Sequence, residues 1–130
     1  IIYGDSIDSS NSVDFQVIKD QDEFNKLLAT TKINNSLLVI KFYAEWCISC
    51  NKLERVVFSN KQVNEALSSS LKFTLDVTDN NRFNQSMLAR FSLVGPPAIL
   101  FFKNGQELRD QRIIGEVSAK EFVNHINNLQ

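Results

Sequence analysis

Cysteine is nearly absent from this chain: two residues in 130, Cys47 and Cys50, three positions apart. Two cysteines cannot build the framework that staples small secreted domains. A chain this long hides roughly two-thirds of its unfolded surface and needs no such framework. Basic runs and stripes are absent too. Fourteen Lys and Arg against fifteen Asp and Glu leave a formal net charge of -1, which argues against nucleic acid or an anionic membrane as partner. No apolar run approaches the roughly 20 residues that cross a bilayer; the longest, AILFF at 98–102, is strand-sized. No secretory signal is visible and the chain starts at Ile1, so it reads as a mature product or an excised domain whose targeting information lies elsewhere.

What is present has a normal globular balance, 43% hydrophobic and 22% charged, at a length suited to one domain. Residues 1–14, IIYGDSIDSSNSVD, lack apolar periodicity and read as a polar lead-in or linker, which leaves a single domain over 15–130. FQVIK (15–19) alternates as a short strand. Asp20, with Glu23 three residues on, opens a helix to about Thr31 whose Phe24, Leu27 and Leu28 share a face. LLVIKFYA (37–44) suits a strand buried on both faces. From Cys47 the period turns helical, with Leu53, Val56 and Val57 on one side. Ser59 and Gln62 offer caps for a further segment carrying Val63, Ala66 and Leu67.

LKFTLDV (71–77) alternates again, and 80–91 reads as a helix with Phe83, Met87, Leu88 and Phe91 inward. VGPP (94–97) breaks the chain before the strand AILFFK. Asn104-Gly105 signals a hairpin that returns through Glu107 to Ile114. Ser118 and Glu121 form a capping box for a last helix carrying Phe122, Ile126 and Leu129. The order β-α-β-α-β-α-β-β-α predicts an α/β fold: a parallel sheet with helices on both faces and an antiparallel edge from the late hairpin.

The chemistry concentrates in FYAEWCISCNKLE (42–54). Cys47 stands where a buried strand meets a helix, so free backbone N–H groups and the positive end of the helix dipole favour a thiolate there. Spacing i, i+3 brings the Cys50 sulfur within reach. This suits thiol–disulfide exchange, with Cys47 attacking and Cys50, deeper in the helix, resolving. Other readings are weaker. A structural bridge over so small a loop stabilises little. A structural zinc needs four ligands where only Cys47, Cys50 and His125 are available as Cys or His, and His125 between asparagines reads as a solvated surface residue. An inert buried pair fits the strand–Trp–Cys placement poorly. Val94-Gly95-Pro96-Pro97 has two readings: a plain Pro-Pro turn, or a cis-Pro97 facing the cysteines with Pro96 free to pair with an extended partner segment.

FYAEWCISC with NKLE, VVFSNKQVNEAL, DVT and VGPPAILFF together resemble the thioredoxin-fold oxidoreductases, most closely the C-terminal domain of the DsbD family of thiol:disulfide interchange proteins, over 15–129. The resemblance implies a periplasmic domain of a bacterial inner-membrane protein. Such a domain takes electrons from a membrane-embedded domain and passes them to an N-terminal periplasmic domain that supplies disulfide isomerases and cytochrome c biogenesis. It implies a protein-disulfide reductase with no dissociable cofactor, only the redox-active pair Cys47–Cys50, and an isolated domain that is monomeric. By the same resemblance Pro97 is the cis proline, Trp46 and Glu45 flank the pair in a supporting role, and Ile48, between the cysteines, joins Pro96 and Pro97 in partner binding. Glu54 matches an acid near the buried cysteine, one turn past Cys50, placed to raise that thiol's pKa while ionised and to relay its proton.

One position departs from the pattern. Where the family carries a buried Asp under the active site, this chain has Lys41. Either the lysine stem packs and its amine reaches the surface, or Lys41 pairs with Glu54, or its charge lowers a cysteine pKa. Two alternatives to the DsbD role stand beside it: a free-standing or tethered thioredoxin-like reductase, as for cytochrome maturation, and a non-catalytic interaction module of the same fold.

Overall fold

The computed structural model describes residues 14–130, so the lead-in expected over 1–14 lies, apart from Asp14, outside the described residues. Six strands form one mixed sheet: β1 (Gln16–Val17), β2 (Leu38–Tyr43), β3 (Leu71–Asp76), β4 (Ala98–Lys103), β5 (Gln106–Glu107) and β6 (Ile113–Ile114). Five helices surround it: α1 (Gln21–Asn34), α2 (Ile48–Val56), α3 (Lys61–Ala66), α4 (Arg82–Arg90) and α5 (Ala119–Leu129). The path across the sheet is β1-β3-β2-β4-β5, with β6 also on β4.

β2 is apolar nearly throughout because both of its faces are covered. Leu38, Ile40 and Phe42 point one way, into a core with Phe24 of α1, Met87 of α4 and the β4 residues Ala98, Leu100 and Phe102. Val39 points the other way, with Ile99 and Phe101, against Leu53 of α2, Val63 of α3 and Phe122 and Ile126 of α5. Period-two alternation thus sorts the residues of β2 and β4 into two cores. Edge-to-face rings knit both: Phe24–Phe91 at 5.7 Å on one side, Phe58–Phe122 at 5.5 Å on the other. Lys41 follows Val39 by two, so it faces the α2 side.

The helix starts follow local chemistry. The Asp20 carboxylate accepts from Glu23 N at 2.8 Å, and Ser118 and Glu121 close the capping box at 3.1 and 3.2 Å. Asn104 and Gly105 both take positive φ, 55° and 79°, as the hairpin turn requires.

Several expectations need correction. β1, β2 and β3 are parallel, but β4 already runs antiparallel to β2, so the change of direction precedes the hairpin. The expected return strand is interrupted by a 3₁₀ turn at Arg109–Gln111. Asn60, not Ser59, caps α3, because the Ser59 hydroxyl donates to the Arg55 carbonyl at the end of α2. Val56 points to solvent while Leu53 and Val57 turn inward. His125 is half-buried: its ring packs on Phe101 and its Nε2 meets the Gln111 carbonyl at 2.8 Å.

Candidate active site

β2 ends in Tyr43, and five residues later the chain enters α2. Cys47 is the N-cap, with extended φ and ψ of −92° and 109°, and its Sγ accepts the Cys50 N–H at 3.1 Å. The sulfur thus occupies the place that a Ser or Asp oxygen takes at other helix starts. Cys47 and Cys50 are joined in a disulfide with Cα atoms 5.2 Å apart. Cys47 is 7% exposed and Cys50 2%, so the deeper sulfur is the one a turn inside the helix.

The loop that delivers Cys47 is held from several sides. Glu45 N donates to Thr78 Oγ1 at 2.8 Å and the Trp46 indole to the Thr78 carbonyl at 3.1 Å. Thr78 is anchored in turn by Asp76, whose carboxylate accepts its N–H at 2.9 Å. The Asn51 amide donates to the Glu45 carbonyl at 3.1 Å. With its indole N–H occupied, Trp46 still shows 62% of its surface, and Ile48 shows 85%. They place apolar surface on a polar-anchored loop.

The Pro96–Pro97 peptide is cis rather than a plain trans turn. Pro97 lines the same small void as Cys50, and its carbonyl accepts Gly115 N at 3.2 Å, tying this loop to the segment after β6. From that segment Glu116 reaches α2: its carboxylate accepts from the Ser49 hydroxyl at 2.8 Å and from Lys52 Nζ at 3.1 Å. Ser49 first, then Lys52, hold the Glu116 carboxyl below the usual carboxylate range.

Of the three readings of Lys41, the structure rejects the surface-reaching one. Lys41 is 7% exposed and its Nζ donates to Glu54 Oε2 at 2.5 Å. The ammonium also lies over the rings of Phe15 and Phe58, at 4.2 and 4.4 Å from their centroids. Burial pushes the lysine below its ordinary value, and Glu54 pulls partly back. Cys47, Cys50, Lys41, Glu54 and Pro97 therefore converge on one end of the sheet, with Glu45, Trp46 and Pro96 in the two loops flanking it and Ile48 at the first position of α2. The reading of the sequence missed Thr78, Asn51 and Glu116. Thr78 lies in the quoted DVT and Asn51 follows Cys50, yet neither spacing signals a hydrogen bond; Glu116 carries no local signal.

A mixed sheet between two helical layers, with a disulfide-forming pair capping a helix, defines a thiol–disulfide oxidoreductase of thioredoxin-like architecture. The Thioredoxin family model matches residues 15–128, and the chain belongs to that family. Within it the chain is similar to thiol:disulfide interchange protein DsbD: 34% identical over 116 residues to that of Pseudoalteromonas atlantica and 36% over 110 residues to that of Pseudomonas fluorescens. These matches take in 88% and 84% of this chain but only 20% and 19% of the relatives, so the chain spans about a fifth of their length. Among solved structures, the oxidised C-terminal domain of Neisseria meningitidis DsbD superposes with a TM-score of 0.75 at 25% identity, covering 88% of this chain and 99% of that one. Fasciola hepatica thioredoxin, 21% identical with a TM-score of 0.69 and 89% and 100% covered, shares the fold.

Proposed function

We propose that this chain is the electron-relaying, thioredoxin-like domain of a DsbD-type protein, reducing partner disulfides without a dissociable cofactor. The observation that carries the reading is the Cys47 sulfur accepting the Cys50 N–H at the start of α2. When the bridge is reduced, this N–H and the dipole behind it stabilise a Cys47 thiolate. The thiolate attacks a partner disulfide; one partner sulfur leaves and a mixed disulfide forms. Cys50 then attacks Cys47 Sγ, the mixed bond breaks with its electron pair on the partner's other sulfur, and the Cys47–Cys50 bridge is restored. Two electrons have passed to the partner.

The apolar surface of Trp46, Ile48 and Val94 beside Pro96 and Pro97 is the docking face in this reading. In this reading the partners are a membrane-embedded donor domain and an N-terminal periplasmic acceptor domain and the domain works in the periplasm, a reading that the similarity to DsbD supports. The test is a trap. Cys50→Ser, reduced and mixed with oxidised candidate domains, accumulates a mixed disulfide through Cys47, whereas Cys47→Ser accumulates none. The unaltered protein with a dithiol donor reduces insulin. No turnover and no trapped adduct would leave an interaction module of this fold; capture of cytochrome-maturation partners alone would favour the tethered reductase.

A further inference from the structure

Lys41 sits between the buried sulfur and solvent. On one side is a void of about 10 Å3 lined by Lys41, Tyr43, Cys50, Glu54, Phe58 and Pro97 among others, room for one water at most. On the other is an open cleft of about 290 Å3, which Lys41, Tyr43 and Glu54 also line, together with Asp14, Phe15, Thr74 and Asp76. The Lys41–Glu54 pair is thus the partition. Its carboxylate is half-exposed toward the cleft, with 38% of its side chain accessible, while the ammonium is 9% accessible.

Resting on the exchange reading above, we propose that Lys41 is a positioning residue for Cys50: its ammonium holds the Cys50 thiolate that forms when the mixed disulfide is resolved. Cys50 gives its proton across the void to the Glu54 carboxylate. The neutralised acid releases the ammonium's charge, which then faces the new thiolate. The thiolate attacks Cys47 Sγ, the bond to the partner sulfur breaks, and the leaving thiolate takes a proton from solvent. Glu54 returns its proton through the cleft and re-pairs with Lys41. Protons and electrons balance: the Cys pair loses two electrons and the partner disulfide gains them.

The rings of Phe15 and Phe58 matter here, because they keep the ammonium in place while its carboxylate partner is neutral. The charged and titratable groups around the pair are Cys50 on α2, Tyr43 on β2, Asp76 on β3 and Asp14 ahead of β1. Tyr43 is held neutral, first by burial and then by Asp76, Glu54 and Glu45. Lys41 is therefore the one cation among the lining residues of both spaces.

The experiment uses 5,5′-dithiobis(2-nitrobenzoate), which releases one coloured thiolate when Cys47 attacks and a second when Cys50 resolves the adduct. The second phase is followed against pH in the unaltered protein, in Lys41→Met, and in Lys41→Met combined with Glu54→Gln. Lys41→Met leaves the Glu54 charge unopposed, so the second-phase midpoint rises by about one pH unit and the step slows about tenfold below it. Removing the carboxylate as well brings the midpoint back toward that of the unaltered protein, a pattern that loss of packing would not produce. A second-phase profile in Lys41→Met that coincides with the unaltered protein overturns the inference, as does a double variant no lower than the single one. Absence of the first phase in the unaltered protein sinks the exchange reading itself.

Discussion

At the scale of single residues, the site depends on what faces the Cys47 sulfur. The N–H of Cys50 favours an anion there, while Glu116, ionised at neutral pH and hydrogen-bonded to Ser49, sets a negative charge beside the same turn. The two act in opposite directions, and the N–H is in direct contact with the sulfur. Alkylation of the reduced protein should therefore show a Cys47 midpoint below the ordinary thiol value of about 8.5. Glu116→Gln should lower it by a few tenths of a pH unit further, and about 1 M salt should erase that increment because the carboxylate is exposed. An upward shift in Glu116→Gln would mean that the carboxylate acts by orienting Ser49 and Lys52 rather than by its charge. Cys47 and Cys50 were legible because their spacing is local. Glu116 was not, since it lies 67 positions from Ser49 and only folding brings them together.

Helix ends show what short-range patterning can decide. Asp20 and Ser118 were readable as caps because a cap and the backbone N–H that donates to it lie three residues apart, within one turn. Ser59 misled for the same reason: a hydroxyl next to a helix end can cap the next helix or bond back to the previous one, and here it bonds back to Arg55. Replacing Ser118 by Ala should cost about 1 kcal/mol of stability in denaturant unfolding. The Ser118 backbone N–H first, then its hydroxyl, hold the Glu121 carboxyl below its ordinary value of 4.5. A depressed folded value means that the contribution is full above 4.5 and fades as pH falls through the lower folded value. The difference in melting temperature between the unaltered protein and Glu121→Gln should accordingly be constant from neutral pH to about 5 and shrink below it. A difference that persists unchanged to pH 2 would assign the effect to the amide substitution rather than to the charge.

For the whole molecule, stability rests on two ring-lined cores either side of one sheet. Phe122 is fully buried and touches both Phe58 and Phe101. Phe122→Ala should cost about 3–5 kcal/mol, a large share of the about 5–15 kcal/mol that holds a domain folded. Lys41 has the opposite sign. Its folded value lies below its ordinary 10.5, so between the two the unfolded chain binds more protons and stability rises with pH. Buried charge therefore subtracts stability at neutral pH, and the subtraction fades as pH approaches 10.5. The stability of the unaltered protein relative to Lys41→Met should therefore rise across that alkaline range. A difference that is flat with pH would show that burial does not depress the lysine.

Composition, periodicity and the Cys-x-x-Cys spacing by themselves determined the element order, the two-sided burial of β2 and the redox pair. Each of these is written in contacts within a few residues or in strand alternation. Direction of β4 was not, because apolar residues on both faces encode burial and are the same whichever way a strand runs. Nor was the partner of Lys41: the sequence placed it in a buried strand with Glu54 thirteen residues on, and only the packing of α2 against that face of the sheet closes the ion pair. Thr78 and Glu116 reach the cysteine loop on the same terms, through contacts between segments that are distant in the chain and adjacent only once the sheet is assembled.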